Sequence, residues 1–145
     1  MPRSAMIAGV LLAFIITVAA AQNWKPIAGA EEGVFSICIN PLNPNTVWIG
    51  AFRKLLVSYD GGVTISRTID LPTTDGFFTT TVFIHPVDTS FIIVGGIGGY
   101  LSRDDGQTWS HALPDMALFF NGESIVAEPN HPDTIYVGAL YNRQN

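Results

Sequence analysis

The feature that most limits how this chain can fold is a repeat. Three segments share one pattern: Ile39-Asn40-Pro41-Leu42-Asn43-Pro44-Asn45-Thr46-Val47-Trp48-Ile49-Gly50, Ile84-His85-Pro86-Val87-Asp88-Thr89-Ser90-Phe91-Ile92-Ile93-Val94-Gly95 and Ala127-Glu128-Pro129-Asn130-His131-Pro132-Asp133-Thr134-Ile135-Tyr136-Val137-Gly138. Their leading prolines stand 45 and 43 residues apart, and in each copy a glycine follows that proline by nine positions. An octapeptide follows each of the first two glycines, Ser58-Tyr59-Asp60-Gly61-Gly62-Val63-Thr64-Ile65 and Ser102-Arg103-Asp104-Asp105-Gly106-Gln107-Thr108-Trp109. The connectors repeat as well: Leu71-Pro72 and Phe77-Phe78 return as Leu113-Pro114 and Phe119-Phe120. A period of this size marks a supersecondary unit that cannot bury its apolar face alone and stacks on copies of itself.

Each unit reads as four short strands. Residues 34–39 alternate, placing Phe35, Ile37 and Ile39 on one face, and residues 46–50 are β-branched and aromatic. Strands over 54–59 and 64–69 complete the unit, and 80–85, 90–95, 99–103 and 109–113 repeat the plan. Asp-Gly between apolar runs is a strong hairpin signal. Pro41, Pro86 and Pro129 fall at strand ends, where a missing N–H does least harm. The 14 glycines and 9 prolines suit such a turn-rich chain, and nothing after residue 21 reads as a long amphipathic helix. Four antiparallel strands at this period are the signature of a β-propeller blade. A parallel β-helix has shorter coils, and a plain sandwich lacks matched landmarks. The expectation is an all-β, partial β-propeller of about two and a half four-stranded antiparallel blades. A third octapeptide falls due at 145 or 146, so residues 22–145 read as the N-terminal part of a propeller truncated in its third blade. Such an open arc is expected to be marginally stable or oligomeric by itself.

The first segment is an address. Arg3 precedes the apolar run Ala5 to Ala20, and Ala19-Ala20-Ala21 offers an A-x-A cleavage site ahead of Gln22 and Asn23. These are the parts of a signal peptide over residues 1–21, on a run shorter than the ~20 residues of a membrane span. The rest is therefore expected to be secreted or periplasmic and free of the membrane. Lys plus Arg is 7 against 12 Asp plus Glu, a net charge of −5, which leaves no basic stripe for nucleic acid. Cys38 is the one cysteine; it cannot form an internal disulfide and reads as a small hydrophobe in a core strand. His85 occupies the pre-proline place of Asn40 and Glu128, His131 sits near the place of Asn43 and Asp88, and His111 follows the second octapeptide. None has a ligand spacing, so neither a metal nor a cofactor is expected.

The octapeptides resemble the Asp-box, or BNR repeat, with its pattern Ser-x-Asp-x-Gly-x-Thr-Trp. Ser102, Asp104, Gly106, Thr108 and Trp109 match every specified position; Ser58, Asp60, Gly62 and Thr64 match the first copy, where Ile65 replaces the tryptophan. The lead-in Pro-x-x-Pro-x-Thr followed by apolar residues and Gly is also similar to that superfamily, which includes sialidases, xyloglucanases, sortilin-type ectodomains and photosystem II assembly-factor propellers. The resemblance covers nearly all of the chain after residue 21. It implies a propeller whose boxes are structural, with Asp accepting turn N–H groups and glycine supplying positive φ.

Two functions are open to such a chain. One is an exported, non-catalytic module that binds a protein or glycan, or serves in assembly, with further blades of its own chain as neighbours. Loops on a rigid scaffold carry contacts, and the connectors here hold Glu31, Glu32, Asp75, Phe77, Phe78, Asp115, Phe119, Phe120 and Glu123. Acid plus aromatic suits a sugar, while the repetition of the Phe pairs favours inter-blade packing. The alternative is the N-terminal fragment of a sialidase- or xyloglucanase-like glycoside hydrolase. Against it, Phe52-Arg53-Lys54-Leu55 lacks the Arg-Ile-Pro motif of sialidases, and Ala51-Phe52-Arg53 lacks the acidic stretch of xyloglucanases. No catalytic residue is assigned, and two flanking carboxylates would be required. The sequence reading favours the binding module.

Overall fold

The computed structural model describes residues 25–30, 33–73, 78–118 and 124–141, without the side chains of 113–118 and 140–141. The expected signal peptide lies outside the described residues. Among them every regular element is a strand: β1 (Val34–Ile39), β2 (Val47–Ala51), β3 (Lys54–Ser58), β4 (Arg67–Asp70), β5 (Thr81–Ile84), β6 (Ile92–Ser102), β7 (Ser110–Leu118), β8 (Ile125–Glu128), β9 (His131–Val137) and β10 (Leu140–Tyr141).

The first blade is an antiparallel meander in the order β1-β2-β3-β4. Pairs Cys38↔Trp48, Trp48↔Val57 and Val57↔Arg67 carry one row across it. The second blade is ordered β5-β6-β7, with β10 on its outer edge, and β8 pairs β9 to begin the third. An 11-residue strand would extend about 36 Å if straight. Yet Asp105 N–H, just past its end, donates to Ser90 O, just before its start, at 3.2 Å. The run doubles back, its first half pairing β5 and its second β7. Its arms fall in the expected strands 90–95 and 99–103, so this blade too is built on four strands, with β10 added at its edge. Gly98 makes the reversal at φ 83°, in the repeat position where Arg53 adopts φ 60° in the first blade.

Two boundaries differ by several residues from the sequence reading. β4 starts at Arg67 rather than 64, because the Thr64 N–H and hydroxyl are both held by Asp60. β7 continues to Leu118 instead of stopping at 113. Its register jumps from Gly99↔Leu113 to Ile97↔Leu118, so Pro114 and Asp115 are carried in a bulge within the strand. Asp115 is thus a strand residue, not a connector residue. Leu140 and Tyr141, to which the sequence reading assigned no strand, pair Leu118 and Ala117 of the second blade.

The core is layered between sheets. Between the first two blades lie Trp48, Leu55, Val57, Ile69 and Leu71 against Val82, Ile84, Ile92, Val94 and Tyr100, with Cys38 and Trp109 at the margin. Between the second and third lie Ile93, Phe83 and Leu101 against Ile125 and Ile135. On the outer face of the first blade, Ile27, Ala30 and Ile65 pack on Val47, Ile49, Ala51 and Leu56. The alternation expected in β1 is present, but its apolar set is the exposed one: Ile37 and Ile39 face outward and Cys38 faces the core. Polar Ser36 is buried because its hydroxyl donates to Thr79 O at 2.8 Å, which ties the first blade to the connector. Gly50 leaves the room for that bond. The chain is an arc of stacked propeller blades.

Candidate functional site

Antiparallel strands put alternate turns at opposite ends of each sheet, so the arc has two rims. One rim carries the β1–β2 and β3–β4 turns and their copies. In the first octapeptide the Ser58 hydroxyl donates to Asp60 Oδ1 at 2.7 Å and accepts Gly62 N–H at 2.9 Å. Asp60 Oδ1 also accepts the Val63 and Thr64 N–H groups, both at 2.9 Å, and Oδ2 accepts the Thr64 hydroxyl at 2.7 Å. The second octapeptide repeats the set with Ser102, Asp104, Gly106, Gln107 and Thr108. The threonine hydroxyl, then its N–H and the serine hydroxyl, hold the Asp104 carboxyl down at about 2 and Asp60 well below the carboxylate range. Both carboxylates are spent on their own turns.

Every octapeptide glycine has positive φ, 74° at Gly61, 88° at Gly62 and 72° at Gly106. A Cβ on Gly106 would lie 3.1 Å from both Ile69 and Trp48, so this turn seats on the core of the preceding blade. Arg67 secures it from that blade, donating to Asp105 O at 2.9 Å and Gly106 O at 3.1 Å. Nothing in the sequence announced this clamp, since a lone arginine on a strand carries no spacing signal.

The same rim explains the place of His85. Asn40 Oδ1 accepts the Leu42 and Asn43 N–H groups at 2.9 and 3.1 Å. One repeat later His85 Nδ1 accepts from Val87 and Asp88 at 3.3 and 2.9 Å, which leaves Nε2–H to donate to Pro132 O of the third blade at 2.9 Å. Beside it a cleft of about 290 Å³ is lined by Asp88, Phe91, Arg103, Asp133 and Ile135, with the Arg103 guanidinium 4.7 Å over the Phe91 ring. His111 stands on β7 against the Tyr100 ring, and His131 opens β9. Among the described residues no three His, Cys, Asp or Glu side chains gather as metal ligands.

The opposite rim is aromatic. Phe78, from the connector before β5, lies 5.0 Å from the Phe35 ring edge-on and 5.1 Å from the Phe52 ring. The three rings come from a bulge in β1, the β2–β3 turn and the inter-blade connector. They are brought together by a bridge between Phe52 and Phe78 and by Thr79 N–H donating to Ala51 O at 3.2 Å. All three stay about two-fifths exposed: Phe35 43%, Phe52 39% and Phe78 44%. Next to them a cleft of about 340 Å³ is lined by Phe52, Arg53, Lys54, Asp70 and Leu71. Lys54 and Asp70 are cross-strand partners there, and the left-handed turn at Arg53 is pinned by Leu71 N–H donating to its carbonyl at 3.0 Å. Exposed rings beside a few convergent polar groups make a ligand-binding composition. Of the sequence candidates, Phe78 belongs to this cluster. Asp115 is placed only as backbone in β7, and Glu31, Glu32, Asp75, Phe77, Phe119, Phe120 and Glu123 lie outside the described residues. Phe35, Phe52, Arg53 and Asp70 were missed as a set, because only the fold brings three separate segments together.

No protein-family model matches the chain, and no curated protein does. Among solved structures it is similar to an ancestral GH74 enzyme, at 20% identity and a TM-score of 0.53 over 72% of this chain. It is likewise similar to the GH74 xyloglucanase of Xanthomonas campestris, at 18% identity and 0.54 over 74%. The chain spans only 16% and 20% of those two proteins. Both are propeller enzymes, and the likeness is one of fold.

Proposed function

We propose that this chain is an exported propeller module of the Asp-box superfamily that binds a β-linked glucan on its aromatic rim without cleaving it. The observation that carries the reading is the Phe35–Phe52–Phe78 cluster, three rings left partly bare at the mouth of a cleft that also offers Arg53, Lys54 and Asp70. A pyranose presents an apolar face for a ring and a rim of hydroxyls for charged side chains, the same division of chemistry that this rim displays. The name of one structural neighbour, a xyloglucanase, supports a glucan as the polymer to try first. The octapeptide turns, with serine, aspartate, glycine and threonine in one closed network, support the superfamily.

A second reading is a GH74-like glycoside hydrolase whose catalytic set lies largely in further blades. It is favoured by the fold likeness to two GH74 enzymes. Hydrolysis takes a pair of carboxylates about 5–9.5 Å apart. The described part of the aromatic cleft contributes one, Asp70.

Affinity electrophoresis in gels containing soluble xyloglucan or mixed-linkage glucan, run beside a reducing-sugar assay, separates the readings. The expected result is retardation that Phe52→Ala and Phe78→Ala abolish, with no reducing ends released. Release of reducing ends that Asp70→Asn abolishes would favour the hydrolase, and migration unaffected by every β-glucan would refute the binding module.

A further inference from the structure

The three half-exposed rings of the aromatic rim come from separate segments, and each has a buried neighbour in the chain: Ser36 beside Phe35, Ala51 beside Phe52 and Thr79 beside Phe78. These three neighbours meet at one point. Thr79 lies ahead of β5, outside any strand. Its N–H donates to Ala51 O at 3.2 Å, and its carbonyl accepts the Ser36 hydroxyl at 2.8 Å. The bare rings thus stand over a buried polar knot, and the link from β1 is the one a side chain makes.

Phe52 and Phe78 are held together by backbone, through their bridge and the Thr79–Ala51 bond. Phe35 is not. The β1–β2 register passes from Val34↔Ala51 to Ser36↔Gly50, so Phe35 is the extra residue of a bulge and has no register partner on β2. Its ring nevertheless stands edge-on to Phe78, 5.0 Å between centroids at 79°. The hydroxyl of the very next residue reaches the connector that carries Phe78.

The geometry points to Ser36 as the positioning residue of the aromatic rim: by holding Thr79 O it fixes the bulged Phe35 ring against Phe78, so that the platform meets its ligand already formed. A ring held before binding need not be immobilised during it, and that saving appears as affinity. The inference rests on the glucan reading of the rim and goes beyond it, since Ser36 is buried and acts through Phe35 without touching the sugar. A bond that served only to join blade and connector would act on Tm and leave affinity alone.

Affinity electrophoresis of the full chain in graded soluble xyloglucan and mixed-linkage glucan, at a temperature where every variant is folded, tests it. Ser36→Ala is expected to raise Kd roughly 2- to 12-fold, the cost of ordering one freed side chain on binding. His85→Ala loses its turn bonds on the opposite rim, so it lowers Tm and should leave Kd unchanged. Because Ser36 acts through Phe35, Ser36→Ala should add nothing to the weakening that Phe35→Leu causes. Should Ser36→Ala lose its far-UV β spectrum, Ser36→Cys keeps the shape with a much weaker donor and must show the same pattern. An unchanged Kd in the folded Ser36 variant, an equal rise in His85→Ala, or full additivity with Phe35→Leu would overturn the positioning role and leave the glucan reading standing. An unaltered chain that neither glucan retards would refute the glucan reading, and the positioning role with it.

Discussion

Gly50 closes the first repeat segment, and its replacement by alanine is the sharpest packing test this structure offers. A Cβ built there would lie 2.2 Å from Ser36 Oγ, 2.4 Å from the Thr79 carbonyl oxygen and 2.9 Å from Thr79 Cγ2. Two of those atoms are the donor and acceptor of the buried Ser36–Thr79 bond, so the methyl group must break the bond that ties the first blade to the connector. Gly50 has no positive φ, so backbone strain does not enter. Overpacking of a filled site costs about 1–3 kcal/mol, and leaving a buried polar group unpaired costs about 1–3 kcal/mol more. The sum, roughly 2–6 kcal/mol, is a large part of a domain's usual stability and corresponds to a fall in Tm of roughly 8–20 °C for a chain of this size. Gly138 holds the equivalent place in the third repeat, where a Cβ would meet nothing nearer than Ser124 O at 3.7 Å. Gly138→Ala should therefore be neutral, or stabilising by about 0.4–1 kcal/mol through the unfolded chain. Thermal melts followed by circular dichroism compare the two. Equal melting temperatures for Gly50→Ala and Gly138→Ala would refute the reasoning.

Two further outcomes follow from the turns. Asp104 is held at about 2 against an ordinary 3.8, so its stabilisation is complete above 3.8 and is lost as the pH falls from there through about 2; Asp60 acts in the same direction. Tm should drop steeply over that window and less steeply in Asp104→Asn, and identical slopes in the two proteins would contradict the assignment. His85→Asn should keep the two turn bonds that Asn40 makes in the first repeat and lose only the bond to Pro132, about 0.5–1.5 kcal/mol. His85→Ala orphans the Val87 and Asp88 N–H groups as well and should cost more in urea denaturation; the reverse order would count against the equivalence of these turns.

The period was legible because the residues that mark it are ones a turn demands chemically: proline where a ladder N–H must be absent, aspartate and glycine where a hairpin closes. Strand ends were less legible, because side chains decide them. Thr64 is as β-prone as its neighbours, but its N–H and hydroxyl belong to Asp60, which delays β4 to Arg67. Pro114 reads as a strand stop, yet a bulge absorbs it and β7 continues. Alternation separated the two faces of β1 correctly but could not tell which one a neighbouring blade covers. Ile37 and Ile39 are as apolar as Val82 and Ile84, and only position in the arc leaves the first pair exposed. The aromatic rim was half visible. Phe78 stood out in its connector, while Phe35 was one of an alternating face and Phe52 only part of motifs that fail to match, until folding brought the three rings within about 5 Å.

Blade-on-blade stacking is the premise beneath the rim and the clamps alike, and the chain's one cysteine reports on it directly. Cys38 is held on the β1 face that meets the second blade, and burial there pushes its thiol up from the ordinary value, with a backbone bond near Ile84 opposing. Burial and the raised pKa that comes with it both slow attack on a disulfide reagent, because access and thiolate are reduced together. Labelling of Cys38 by a chromogenic disulfide should be many-fold slower in the native protein than in guanidinium, and Trp48→Ala, which opens the same layer, should hasten it. Native labelling as fast as that of the unfolded chain would mean that the second blade does not cover the first.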